Sequence, residues 1–481
     1  PLGIKPLYFH ANGKDFIFGS ELKSVFLYEG VKREVDTTLL PEFLLNSFLY
    51  EPDTGFKNLS KIEPGSYIEI QANEKNDGLD IKKVKYWSIG DASSQAPKNQ
   101  DIGDLLKSSI KNHLVSDVPV GLFFSGGVDS SIILREVKDR VKPLIIKADE
   151  DKYKEAGITS DFYYAKKISK LWNTELEEIE LGNKIKTNND FFDSIIEVAQ
   201  QSEEPIADFT FISSRLLSKV AKEKGYTVML SGMGADELFA GYPRYNLVNY
   251  SKIYGFLTPF ANLFLKNNPS FSKKIERFNT FFSEDSFVMK YTSLIGYFSR
   301  QELSNNTYFD FSLDGYQKKL EGIIDKSKAK TDLKKAMALD LYGFLSHNFL
   351  VADKSSMLEG IEMRVPLATK ELAEYAFQLK DSDLSRLGKD KRVLKNYLRN
   401  YLSNDIVNRK KAGFNPPLDG FIKKVPPSEL LAFMSDHNLF DLLKREYVEE
   451  LVNEHFTTSK NNTFKIYLLL YLSAWYHTWK N

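Results

Sequence analysis

The sequence predicts an α/β protein built on a parallel sheet with helices on both faces. Three observations carry that reading. Short apolar runs near 118–124, 143–146, 177–181 and 227–230 alternate with helix-like segments. Such alternation produces βαβ units rather than hairpins. Two of the runs stop abruptly, at Ser125-Gly126-Gly127 and at Ser231-Gly232, and each opens into helical sequence. That is how a buried strand turns into a ligand-facing loop at the carboxyl edge of a sheet.

Residues 1 to about 90 read differently, as short strands and turns. Leu7-Tyr8-Phe9 and Phe16-Ile17-Phe18 flank Ala11-Asn12-Gly13-Lys14, a hairpin signal. Ser66 to Ile70 alternates after a Pro64-Gly65 turn, and Tyr86-Trp87 closes the region. Ser88 to Gln100 is polar and rich in Ser, Pro, Gly and Asn. Domain boundaries are therefore expected at 1–90, a linker at 91–100, and a second domain at 101–481. In that second domain Ile102, Leu105, Leu106 and Ile110 mark a helix before the first strand, and a further helix surrounds Tyr164–Leu171. Residues 243 to about 340 lack strand signals, are rich in aromatics and Lys, and read as a helical insertion. Residues 341–481 are expected to continue helical. Ile466 to Trp475 is the most apolar stretch, yet Ser473, His477 and Lys480 interrupt and close it, so it reads as a buried terminal helix.

Composition bounds the function. The 481 residues are 42% hydrophobic and 13% aromatic, enough for packed cores and not for disorder. Lys plus Arg and Asp plus Glu both number 65, so the formal net charge is zero. Nothing in that balance calls for nucleic acid or a membrane surface. The chain has no Cys, which removes disulfides, thiolate metal sites and a thiol nucleophile from these residues. A cytoplasmic setting is compatible with that. The chain opens on Pro1 rather than Met.

The first Ser-Gly loop carries chemistry. Its glycines let a phosphate approach bare backbone N–H groups, and the following helix points its positive end at the same place. Ser125, Ser130 and Ser131 can add hydroxyl donors. Asp129 is a carboxylate that a phosphate loop would reject unless a cation lies between them, which points to Mg²⁺ on a nucleotide's phosphates. No Lys follows the glycines, so this is not a Walker A loop. The second loop, Ser231 to Tyr242, carries Asp236 and Glu237. Asp129 and Asp236 at two strand ends make a two-carboxylate site for Mg²⁺, completed by phosphate oxygens.

Two more constellations follow. Asp353-Lys354-Ser355-Ser356-Met357 precedes Glu362-Met363-Arg364-Val365-Pro366, where Glu362 and Arg364 stand among apolar residues and are expected as a buried, paired set. Arg409-Lys410-Lys411-Ala412-Gly413-Phe414 is either a surface patch or a source of one cation for a phosphate or an oxyanion.

Taken together and in order, these blocks resemble the glutamine-dependent asparagine synthetase family over nearly the whole chain. The family's pyrophosphate loop corresponds to 125–130, and its other motifs to 231–242, 353–366 and 409–414. Pro1 to Tyr8, Ser20-Glu21 and Pro64-Gly65 resemble the end of the family's N-terminal nucleophile glutaminase domain. The resemblance implies that ATP adenylates a carboxylate with release of pyrophosphate. Ammonia then displaces AMP to give an amide. It implies that Ser125, Gly126, Gly127, Asp129 and Ser130 hold pyrophosphate, and that Phe123, Ser231 and Gly232 line the nucleotide. It implies that Asp129 and Asp236 hold Mg²⁺, that Lys411 stabilises developing charge, and that Glu362 is an acid, base or orienting carboxylate. Partners would be a small-molecule carboxylate, aspartate by default, and ammonia from glutamine, delivered through an N-terminal domain of which 1–90 is a remnant. A homodimer is compatible with the resemblance.

Three departures stand out. The family's catalytic Cys and most of its glutaminase domain are not in this chain, a difference on the order of a hundred residues by usual domain sizes. Position 233 is Met, where asparagine synthetases resemble one another in having Glu and β-lactam-forming relatives have Tyr. Position 369 is Thr, where the family often has Asp. The last two leave ATP chemistry intact and bear on the acceptor. The same adenylation on a sugar acid, or on a peptide that is cyclised, is the alternative enzyme. A non-catalytic binding module of the same fold is disfavoured by the intact Asp129, Asp236 and Lys411. Sulfur transfer or tRNA modification expects reactive Cys and a basic face, and the sequence has neither.

Overall fold

The computed structural model describes residues 1–73, 78–92, 100–147, 160–180, 187–265, 277–409 and 418–480. The expected hairpin forms: β1 (Tyr8–Ala11) pairs antiparallel with β2 (Phe16–Gly19), Tyr8 opposite Gly19. The Asn12 side chain accepts from the backbone N–H groups of Lys14 and Asp15 and closes the turn. β3 (Ser60–Lys61) adds to the other side of β1. β4 (Ser66–Asn73) is longer than its sequence signal. It pairs with β5 (Gly78–Lys85), a partner the sequence did not announce because Lys82, Lys83 and Lys85 break its alternation.

Among the described residues five parallel strands form the central sheet, in the order β10-β9-β6-β7-β8. They are β6 (Val120–Phe123), β7 (Lys142–Ile146), β8 (Glu177–Ile179), β9 (Val228–Leu230) and β10 (Glu362–Arg364). The chain leaves β6 toward β7 and β8 on one side and returns as β9 and β10 on the other. The strand order therefore reverses between β6 and β9, the place where open parallel sheets bind their ligands. Both Ser-Gly loops lie there.

β10 corrects the expectation that 341–481 is wholly helical. It holds three residues between a helix, Phe344–Met357, and Pro366, too few to show a period of two. Glu362 pairs with Val228 and Arg364 with Leu230.

Side chains alternate across the sheet as strand geometry requires. Leu122 and Leu230 face the main core with Ile132 and Ile133. Leu144, Met229 and Met363 face the other way, against Ala221 and Ala352. The terminal helix, Thr463–Trp479, is buried at every position from Ile466 to Trp475. Its polar tips are satisfied, Trp475 Nε1 donating to the Glu203 carbonyl at 2.8 Å and Tyr471 Oη to the Glu204 carbonyl at 3.0 Å. No helix among the described residues is long and apolar enough to cross a membrane. Between 243 and 340 the described residues contain helices and no strand.

The same Glu203-Glu204 pair joins the N-terminal unit to the rest. Lys61 Nζ lies 2.7 Å from Glu204, Tyr8 Oη donates to Glu204, and Lys354 Nζ lies 2.6 Å from Glu203. All five side chains are buried. Lys354, from the third sequence constellation, thus serves the junction between units.

Candidate functional site

β6 ends at Phe123, which packs half-buried against the smaller apolar cluster. The chain then bends through Ser125, Gly126 and Gly127. Gly126 has φ +65, and a Cβ there would lie 2.7 Å from the Ala165 backbone nitrogen, so the turn requires glycine. The helix Val128–Val137 follows at once. Hydroxyls hold the bend from inside: Ser125 N donates to Ser130 Oγ at 3.3 Å, and the two Oγ atoms are 3.2 Å apart. Arg409 holds it from outside. Its guanidinium donates to the Gly126 carbonyl at 3.1 Å, the Ser125 carbonyl at 3.2 Å and the Asp161 carboxylate at 2.6 Å. The carbonyls of the bend are thus engaged on one side.

The second loop meets the first. Ser231 N donates to the Arg364 carbonyl at 2.8 Å, which continues the sheet one residue past Leu230. A Cβ on Gly232 would lie 2.7 Å from Asp129 Cβ and 3.1 Å from Ser130 N, so the two loops touch only because position 232 has no side chain. Asp236 sits in the first turn of the short helix Ala235–Leu238.

The residue that joins them, Lys391, is not singled out by the sequence. Lys391 Nζ lies 2.6 and 2.7 Å from the two oxygens of Asp129 and 2.8 Å from Asp236 Oδ1. Its side chain is 8% exposed. Burial pulls the Lys391 ammonium down, but Asp129 and Asp236 outweigh burial and hold it above the ordinary lysine range. A Cβ on Gly241 would lie 1.9 Å from Asp236 Oδ1 and 2.3 Å from Lys391 Cε, so glycine there makes room for the bridge. Lys391 stands in an exposed-looking run, Lys389-Asp390-Lys391-Arg392, and no local signal separates it from its neighbours.

The expected residues divide into three groups. Phe123, Ser125, Gly126, Gly127, Asp129, Ser130, Ser231, Gly232 and Asp236 lie at the carboxyl ends of the adjacent strands β6 and β9. Lys411 lies outside the described residues. Glu362 is not brought to them. It starts β10 opposite Val228, three residues before Ser231, or about 10 Å along the strand direction. The expected pair exists, since Arg364 Nε donates to Glu362 at 2.9 Å. The expected burial does not: the Glu362 side chain is 43% exposed. A hydrogen bond from Arg364 holds its carboxyl below the usual range, against a smaller effect of burial. Arg364 also donates to the carbonyls of His113 and Val115 at 2.8 and 2.7 Å, so this pair ties β10 to the turn before β6.

Among the described residues no cluster of three or more His, Asp or Glu side chains forms a metal cage. Lys391 Nζ fills the position on which Asp129 and Asp236 converge, and the two carboxylates are of the hard oxygen type that a divalent ion shares with phosphates.

The sequence profile for asparagine synthase matches residues 101–477, and that for the glutamine amidotransferase domain matches residues 1–87. Asparagine synthetase [glutamine-hydrolyzing] 1 of Bacillus subtilis (strain 168) is 25% identical over 99% of this chain and 74% of its own length. Asparagine synthetase [glutamine-hydrolyzing] 3 of the same organism is 26% identical over 97% of this chain and 71% of its own. Amidase chyE of Penicillium rubens is 25% identical over 50% of this chain and 36% of its own. With two loops meeting at the switch point of a parallel sheet, and these matches spanning both units, the chain belongs to the asparagine synthase family and is an ATP-dependent amidotransferase of the ligase class.

Proposed function

We propose that the chain adenylates a small carboxylate, aspartate by default, and transfers ammonia to it, releasing AMP and pyrophosphate. The observation that carries this reading is the bridge from Lys391 to both Asp129 and Asp236, which makes one charged locus of two loops. In the first step a carboxylate oxygen of the acceptor bonds to the α-phosphorus and the bond to the β-phosphate oxygen breaks. In the second, ammonia bonds to the acyl carbon, AMP leaves, and a proton is lost to solvent. Backbone N–H groups of Ser125 to Gly127 and the hydroxyl of Ser130 would receive the leaving pyrophosphate. Phe123, Ser231 and Gly232 would line the nucleotide. Mg²⁺, held by Asp129, Asp236 and phosphate oxygens, would supply neutralisation of phosphate charge. Lys411 would stabilise charge that develops on the acyl and phosphoryl oxygens.

In this reading residues 101–481 form the synthetase domain, 91–100 the linker, and 1–90 the glutaminase-related unit. Ammonia would come from glutamine through the amidotransferase half of the protein. The use of ATP suits the cytoplasm. A second reading, amidation of a larger or partly apolar acid, draws support from Met233, which packs half-buried against both apolar clusters on the loop after β9. The test is pyrophosphate release from ATP with ammonia and a panel of acids. Release that depends on aspartate and yields asparagine supports the default. Release with a uronic acid or peptide alone selects the second reading. No release with any acid sinks both.

A further inference from the structure

A pocket of about 330 Å³ is formed by residues between 388 and 408, and its charged groups among the described residues are nearly all cations. Lys389, Arg392, Lys395 and Arg399 line it, and Asp390 is its one carboxylate among the described residues. Lys395 pairs with Asp390, which leaves three cations. Arg399 is held in place without being neutralised. It donates to the side-chain carbonyls of Asn404 and Asn408 at 3.0 Å each and to that of Asn396. All three acceptors are uncharged carboxamides, so the guanidinium keeps its full charge.

The carboxamides add to the effect. A carboxamide that accepts through its oxygen offers its NH₂ group as a donor elsewhere. Asn396 and Asn408 both line the pocket. Neither of their NH₂ groups has a partner among the described residues, and neither do the charged ends of Lys389 and Arg392. Among the described residues the walls thus present donors and positive charge with almost no acceptor. Apart from Asp390, which Lys395 already holds, no lining side chain among the described residues serves a cation.

We propose that this pocket is an anion site that takes a phosphate or phosphoryl group, separate from the ATP loops. One guanidinium held by carboxamides, with a second guanidinium, a lysine and amide donors beside it, matches the several oxygens of such a group. None of residues 125–131 or 231–236 lines it. Its position gives it a route to the reaction. Arg392 directly follows Lys391, the bridge between Asp129 and Asp236, and Asn408 directly precedes Arg409, the clamp on Ser125 and Gly126. An occupant that ties Arg392 to Asn408 therefore steadies both segments together.

Calorimetric titration of the full chain tests the proposal. The probes are inorganic phosphate, pyrophosphate and glucose 6-phosphate. The proteins are wild type, Lys389→Gln/Arg392→Gln and Asp129→Asn. Arg399 is left in place because it organises three asparagines. The double variant should bind at least one probe tenfold or more weakly, with ATP affinity unchanged, and Asp129→Asn should retain that binding. Tightest binding of pyrophosphate marks the by-product of ATP cleavage as the source of the anion. Tightest binding of the sugar phosphate marks a phosphorylated metabolite. A charge-preserving Lys389→Arg/Arg392→Lys variant should bind like wild type. Equal affinities for all three probes in wild type and the glutamine variant would overturn the site, as would loss of the same binding in Asp129→Asn.

Discussion

Arg409 Nε donates to the carbonyl of Gly126 at 3.1 Å, across 283 residues of sequence. The basic triplet Arg409-Lys410-Lys411 therefore begins not as a solvated patch but as a clamp, with the Arg409 side chain 4% exposed. A planar fork is needed to reach two carbonyls and the Asp161 carboxylate together, and a lysine cannot copy it. Arg409→Lys should weaken nucleotide binding by about 2 kcal/mol, roughly thirtyfold, the scale of charged hydrogen bonds. Calorimetry with ATP checks this. Unchanged affinity would mean the loop keeps its shape unaided.

Asp129→Asn and Asp236→Asn should each abolish pyrophosphate release and leave the fold intact. Each change removes one charge beside Lys391 and keeps the other, so the buried ammonium retains a partner. Circular dichroism melts should stay close to wild type. Mg²⁺-dependent turnover near the wild-type rate in either variant would refute the metal assignment.

Lys411→Ala should lower turnover by at least about a hundredfold, as expected for losing one fixed stabiliser of transition-state charge. Its melting temperature should barely move. The opposite pattern, retained turnover with a large fall in melting temperature, would make the lysine structural.

Glu51 offers a pH test at the junction of the two units. Burial raises its carboxyl to about 7, with Lys61 opposing and Glu204 adding to the rise. The folded state therefore holds a proton that the unfolded chain, near 4.5, has released. Stability from this group is present below about pH 4.5 and is lost as pH rises toward 7. Between pH 5 and 8 wild type should lose about 2 kcal/mol relative to Glu51→Gln, measured by urea unfolding. Parallel stability curves for the two proteins would contradict the assignment.

What the sequence made legible follows from the range of the signals. β6 and β9 and the loops after them are local patterns, an apolar run broken by Ser-Gly, and both stand where they were expected. β5 and β10 were missed because one is laced with lysines and the other has three residues. Glu362 was misjudged by its apolar neighbours: Met363 faces the core, while Glu362 and Arg364 face the opposite way at the sheet edge. Lys391 could not be found locally at all, since its role exists only through contacts with residues 155 and 262 positions away. Charges that act by tertiary pairing leave no periodic trace.

Met233 lies between Gly232, which touches Asp129, and Gly234, whose Cβ position would be 2.6 Å from Ala368 Cβ. Its side chain is half-buried and packs with both apolar clusters. A thioether is an adaptable apolar surface and cannot take a proton. A small, doubly charged acid gains little from such a wall, and a larger or partly apolar acid gains more. Ammonia needs a base only where its attack on the adenylate is not already downhill, so Met233 does not itself forbid aspartate. Met233→Glu should therefore shift the ratio of kcat/KM toward aspartate and away from apolar acids, by about tenfold or more, the scale of one changed pocket contact. Both proteins are compared on aspartate and on the best acid from the panel, with ammonia as donor. If wild type already makes asparagine efficiently and the glutamate variant gains nothing, Met233 is a neutral filler and the acceptor is chosen elsewhere.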